Sequence, residues 1–148
     1  FLTVGGMGHA SQIALGVALK QKNRRVICID GDGAAIMHLG SLAINGQNAG
    51  ENYKHIVINN GAHDSVGGQP TVAFDIDFVK IADACGYGYV ATCDNASELN
   101  HENTQFLNSK SSAFLEIKVN KGNRKDLGRP TTTPKENKAA FIQNLQDQ

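Results

Sequence analysis

At 148 residues the chain is the length of one domain, and 14 Lys plus Arg balance 14 Asp plus Glu for a formal net charge of zero. A neutral chain exerts no long-range pull on nucleic acid or an anionic membrane, so any anion must be met by local groups. Cys28, Cys85 and Cys93 form no C-x-x-C pair and read as reduced thiols of a cytoplasmic protein; neither a signal peptide nor an apolar run of about 18 residues is present.

In chain order, short apolar runs alternate with helical patterns, which predicts strand and helix units on a mostly parallel sheet, an α/β three-layer sandwich. "FLTV" (1–4) reads as a strand, and a start on Phe1 suggests a piece of something longer. A glycine loop, "GGMGHA", leads to a helix in "SQIALGVALKQ" (11–21). "RRVICID" (24–30) is β-branched and apolar in the manner of a strand buried on both faces. "AAIMHLGSLAINGQNAG" (34–50) is helical though interrupted by glycine, and "KHIVINN" (54–60) is the next strand. The stretch 61–74, "GAHDSVGGQPTVAF", is polar, glycine-rich and too long for an ordinary connection, so it is predicted to be a functional loop. "DIDFVKIADACG" is a helix, "YGYVATC" a strand, and 95–110 a helix with Asn95 at the N-cap and Glu98 at N3. "SAFLEIKV" (112–119) is the last strand. Residues 1–120 are thus read as the α/β domain and 121–148 as a tail of that domain, its final helix opened by a capping box of Thr133, Pro134 and Glu136.

Two readings of the glycine loops compete. Gly6, Gly8 and Ser11, with Asp30 at the end of the following strand, approximate a dinucleotide fingerprint, but Ser11 stands where Gly or Ala is required. The stronger pattern joins Gly31, Asp32 and Gly33 to Asn59 and Asn60. Twenty-five residues, 34 to 58, separate them, enough for one helix and one strand, which returns the chain to the same edge of a parallel sheet. Asp32 and Asn60 then offer hard oxygen ligands for Mg2+, the glycines let backbone amides approach a diphosphate, and the helix starting at Ala34 points its positive end there.

At these residues the chain resembles the thiamin diphosphate-dependent 2-oxo acid decarboxylases, whose signature is GDG, about 25 residues, then NN. The resemblance implies that Asp32, Asn60 and the carbonyl of Ala62 hold the metal, and that Gly31, Gly33, Ala34 and Asn60 belong to the cofactor site. It also assigns "GGMG": the Gly5 carbonyl accepts from the 4'-amino group of the pyrimidine, and Met7 bends the cofactor. "GGMGHASQIALGVAL", "NNGAHDSVGGQPTVAFDIDF" and "LGRPTTTPKENKAAF" are similar to the members acting on 3-phosphonopyruvate, releasing phosphonoacetaldehyde and carbon dioxide. The sulfopyruvate decarboxylases share "QPT" but lack "AHDSVGG".

A small anionic 2-oxo acid needs counter-groups. His63 and His9 are the candidates for catalysis, by proton transfer or anion contact, with Ser65 beside them in the long loop. His38 is expected to pack or to act behind the site, and His55 and His101 are expected at the surface. Arg124, Lys125 and Arg129 make the tail basic, and a guanidinium forks naturally onto phosphonate. The family also needs a Glu at N1' of the pyrimidine, and Glu51, Glu98, Glu102, Glu116 and Glu136 match no such motif. It is expected on a pyrimidine-binding domain, either in a missing N-terminal half or on a separate chain, within a homo-oligomer. A dinucleotide-binding domain and a non-catalytic oligomerisation domain are the competing readings.

Overall fold

The computed structural model describes residues 1–3, 5–128 and 130–146. Four strands form a parallel sheet: β1 (Val26–Gly31), β2 (Tyr53–Asn59), β5 (Tyr89–Cys93) and β6 (Ala113–Lys118), in the order β1-β2-β6-β5. Between them run α1 (Ala10–Lys20), α2 (Asp32–Met37), α3 (Ser41–Asn48), α4 (Phe78–Ala84) and α5 (Ala96–Asn108), and α6 (Pro134–Gln146) closes the described chain. The expected α/β sandwich is present. No helix among the described residues is long and apolar enough to cross a membrane.

Strand alternation sorts the core onto two faces. Cys28, Tyr53, Val57 and Phe114 point to one face, where Leu15 and Ala18 of α1, Leu42 of α3, and Phe78 and Ala82 of α4 cover them. Ala113, Leu115 and Cys93 point to the other, closed by Phe106 of α5. The predicted caps form: Asn95 Oδ1 accepts from the Glu98 N–H at 3.0 Å, and Thr133 and Glu136 bond reciprocally, the Thr133 N–H donating to Glu136 Oε2 at 2.8 Å.

The structure corrects three expectations. Residues 1–3 of "FLTV" have no regular structure and Val4 lies outside the described residues; a strand needs a partner for its N–H and C=O groups, and among the described residues no strand lies beyond β1. β1 is not buried on both faces: Ile27 and Ile29 are 46% and 65% exposed, because β1 is the sheet edge and α5 covers only the β5–β6 side of that face. The helical run 34–50 divides into α2 and α3, and α2 begins at Asp32. Within the long loop a two-residue hairpin forms, β3 (Ala62–His63) with β4 (Gln69–Pro70), around a 3-10 turn at Asp64–Val66.

Candidate functional site

β1 and β2 pair in parallel, with Gly31 beside Ile58, so Asp32 and the Asn59–Asn60 pair leave the sheet at one edge as the spacing predicts. Asp32 is 1% exposed. Its Oδ1 accepts the Asn60 N–H at 3.4 Å and its Oδ2 accepts the Thr71 hydroxyl. No Lys, Arg or His forms an ion pair with it among the described residues. Its charge is met by an amide, a hydroxyl and the first turn of α2 rather than by a cationic side chain, the setting of a carboxylate suited to a metal ion.

The neighbouring donors suit a hard cation. Asn60 Oδ1, 2.9 Å from the Ala62 N–H, retains a second lone pair, while Asn60 Nδ2 is held by Asp64 at 2.8 Å, which fixes the amide orientation. Ala62 is paired in register with Pro70, which has no N–H to offer its carbonyl. A carboxylate, an amide oxygen and a main-chain carbonyl are the ligand types Mg2+ selects.

Glycine is required around this group by close approach. A Cβ on Gly33 would lie 2.3 Å from the His63 ring, so His63 packs directly over the first turn of α2. A Cβ on Gly8, whose φ is +87°, would meet the His38 ring at 2.5 Å and the Ala34 carbonyl oxygen at 2.8 Å. The first glycine loop is thereby locked onto α2, and His9 and His38 stack with ring centroids 4.1 Å apart.

Beside this group opens a cleft of about 1070 Å³, lined among others by Gly5, Met7, His9, Gly31, Ala34 and Met37. The candidate residues thus fall into two adjoining groups. Gly5, Met7, His9, Gly31 and Ala34 line the cleft; Asp32, Gly33, Asn60, Ala62 and His63 gather at the other side of the first turn of α2. Ser65 is exposed in the 3-10 turn. Arg124 pairs with Asp126 at 3.5 Å on the exposed tail, Lys125 is exposed, and Arg129 lies outside the described residues. The tail touches the site through Asp64, whose Oδ2 also accepts the Gly122 N–H at 2.9 Å.

His55 is not at the surface. It is 1% exposed, with Nε2 3.1 Å from Asp30 Oδ2 and Nδ1 3.0 Å from the Tyr87 hydroxyl. The strand period explains this, because residue 55 shares its face with Tyr53 and Val57. The same contact removes the support for dinucleotide binding: Asp30, which would have to meet a ribose, is already engaged by His55 and the Cys28 thiol, and Ser11 is buried against Ser41. Burial and the neighbouring Asp30 push the Cys28 thiol well above its ordinary range. His101, as expected, is exposed.

Sequence reasoning missed Thr71 and Asp64, gave Asn59 no role beyond the signature, and set Glu116 aside. Asn59 and Glu116 are buried and bonded to each other, Asn59 Nδ2 donating to Glu116 Oε1 at 2.7 Å. A lone acid inside the apolar run "SAFLEIKV" was the available signal.

Comparison with known proteins identifies the family and the fold. A family model described as thiamine pyrophosphate enzyme, C-terminal TPP binding domain, matches residues 2–117. The phosphonopyruvate decarboxylase of Streptomyces viridochromogenes is 40% identical over 136 residues, covering 92% of this chain and 34% of that protein. The sulfopyruvate decarboxylase subunit beta of Methanothermobacter thermautotrophicus is 35% identical over 123 residues, 83% of this chain and 63% of that one. In fold, the chain is similar to the thiamine diphosphate-dependent 4-hydroxybenzoylformate decarboxylase of Rhodococcus jostii RHA1, with a TM-score of 0.67 at 22% identity over 81% of this chain and 24% of that one. The chain therefore spans about a third of the first relative and under two thirds of the second.

Proposed function

The chain belongs to the thiamine pyrophosphate enzymes as their C-terminal TPP-binding domain, and from that premise we propose that it is the diphosphate- and magnesium-binding half of a cytoplasmic decarboxylase converting 3-phosphonopyruvate to phosphonoacetaldehyde and carbon dioxide. The observation that carries the reading is Asp32, buried without a cationic partner among the described residues and bonded to the main chain of Asn60, whose side-chain oxygen in turn accepts from the Ala62 N–H. Asp32, Asn60 and the Ala62 carbonyl hold Mg2+, and the backbone at Gly31, Gly33 and Ala34 faces the diphosphate. Gly5 and Met7, across the cleft, take the pyrimidine side. When bound, thiamin diphosphate supplies the carbon that adds to the keto group and the electron sink for decarboxylation.

This chain's own residues bind, orient and move protons. His63, fixed over Gly33, and His9, held by its stack on His38, are placed to meet the substrate anion or carry a proton near neutral pH. Phosphonopyruvate is favoured over sulfopyruvate by the higher identity to the phosphonopyruvate relative and by the larger share of this chain that it matches. The sulfopyruvate reading differs only in the anionic group to be recognised.

The acid for N1' of the pyrimidine comes from a second domain or subunit. Two facts support this: among the described residues no Glu lines the cleft, and the M. thermautotrophicus relative is described as a subunit beta. Thermal denaturation with thiamin diphosphate and Mg2+, against NADH with Mg2+, tests the binding role. A rise in Tm only with the first pair is expected, and a rise only with NADH sinks the reading. In turnover assays the 148-residue chain is expected to be silent towards phosphonopyruvate until a pyrimidine-binding domain is added, and the completed enzyme to prefer phosphonopyruvate in kcat/KM. Clear turnover by the isolated chain would refute the division of labour.

A further inference from the structure

Glu116 lies in the middle of the sheet, not at the cleft, yet it is connected to the cation ligands by a continuous set of hydrogen bonds. It is 4% exposed and forms no ion pair among the described residues. Oε1 accepts from Asn59 Nδ2 at 2.7 Å, and Oε2 accepts from the hydroxyl of Thr92, its register partner on β5, at 2.9 Å. Asn59 Nδ2 also donates to the Ala73 carbonyl at 3.3 Å. A carboxylate and a carbonyl can only accept, so both demand the NH2 end of the amide. The Asn59 oxygen is thereby turned towards the Gly61 N–H, 3.1 Å away.

That bond shapes the turn carrying the ligands. Gly61 has φ +66° and a space that the Phe74 ring closes, since a Cβ there would lie 2.5 Å from the ring. Its carbonyl accepts the Thr71 N–H at 2.9 Å, and the Thr71 hydroxyl donates to Asp32. Asn60 and Ala62 stand on either side of Gly61. We propose that Glu116 is a positioning residue: by dictating which end of the Asn59 amide faces Gly61, it sets the 59–62 turn in the geometry that presents Asn60, Ala62 and Asp32 to one cation. The inference rests on the assignment of those three residues to Mg2+.

The two ideas are separable by experiment on the 148-residue chain. In Glu116→Leu, amide exchange at Gly61 and Ala62, measured without ligand, should accelerate about tenfold or more while Leu115 in β6 keeps its protection. The apparent affinity for thiamin diphosphate with Mg2+, read from the Tm shift, should fall about 10- to 100-fold, the range for lost supports of metal ligands. Glu116→Gln, whose amide oxygen can still face Asn59 Nδ2, should restore both to within about threefold. A merely structural carboxylate would lower Tm without moving the local exchange or the ligand-induced shift. Native exchange at Gly61 and Ala62 in folded Glu116→Leu overturns the proposal, as does a Gln variant as impaired as the Leu one. Should Glu116→Leu fail to fold, Asn59→Asp sets an acceptor against Glu116 and must show the same loss; native behaviour there overturns it equally. A native chain without a magnesium-dependent shift sinks the cation assignment instead, and exchange alone then decides whether Glu116 holds the turn.

Discussion

Asp30 and Asp32 stand two residues apart at the end of one strand, both buried, and they live in opposite circumstances. Asp30 is closed: the imidazole of His55 and the thiol of Cys28 answer one oxygen, and Tyr87 holds the far side of the imidazole. Asp32 is open: its partners are an amide and a hydroxyl, and no cation is among them. Burial alone therefore does not separate a structural carboxylate from one proposed to hold a metal. What separates them is whether the neighbourhood already answers the charge.

The largest effect should come from the closed centre. His55→Ala leaves Asp30 buried without its partner, and stability should fall by about 3–5 kcal/mol. Chemical denaturation checks this, and a loss below about 1 kcal/mol would mean the pair is incidental. Next, Asp32→Ala should weaken Mg2+-dependent cofactor binding about 100-fold or more, some 2.7 kcal/mol, with little loss of Tm in the absence of ligand. An Asp32 variant that bound normally would reverse the comparison.

The closed centre should also be the alkali-sensitive one. Burial raises Cys28 above its usual 9.0, and burial likewise raises Tyr53 and Tyr87 above their usual 10.0. Groups with raised native pKa contribute stability that is fully present below the unfolded value and lost as pH climbs beyond it. Stability should therefore decline above pH 9, at most about 1.4 kcal/mol per pH unit for each group. Lys54, lowered from 10.5 by burial, acts in the opposite sense, its penalty easing as pH approaches 10.5. Cys28→Ala should flatten the part of the decline that begins at pH 9. An unchanged slope would remove the thiol from the account.

The smallest effect concerns Gly31, which caps α2 with φ −83° and ψ 156° and has open space where a Cβ would stand. Gly31→Ala should change ligand-free stability by no more than about 0.5 kcal/mol. Any larger loss that appears only with cofactor present locates an approaching ligand on the open side.

The meeting of Asp32 with the 59–60 pair was legible because topology fixes it: with only helices between two paired parallel strands, the chain returns to the same edge, and Asn59 does so. Caps were legible because they are local, as at Asn95 and Thr133. Glu116 and Thr71 were not, since their roles come from partners 57 and 39 residues away in sequence. "FLTV" failed for a related reason: a strand pattern states a preference, but a partner edge decides it. His55 could have been recovered from alternation alone, had its phase with Tyr53 and Val57 outweighed the habit of placing histidines outside.

The free edge of β1 has a consequence for the chain as a material. Among the described residues no strand pairs with its outer side, and two isoleucines of β1 are exposed, with no Lys or Pro within β1 to blunt the edge. Such an edge is a template for strand addition, and it accepts any extended apolar segment in reach. Crowding, refolding at high protein concentration and prolonged storage all raise the frequency of those encounters. The same sheet that sets Asp32 and Asn60 at one rim thus sets a ceiling on how concentrated the isolated 148 residues can be kept before copies begin to add to one another.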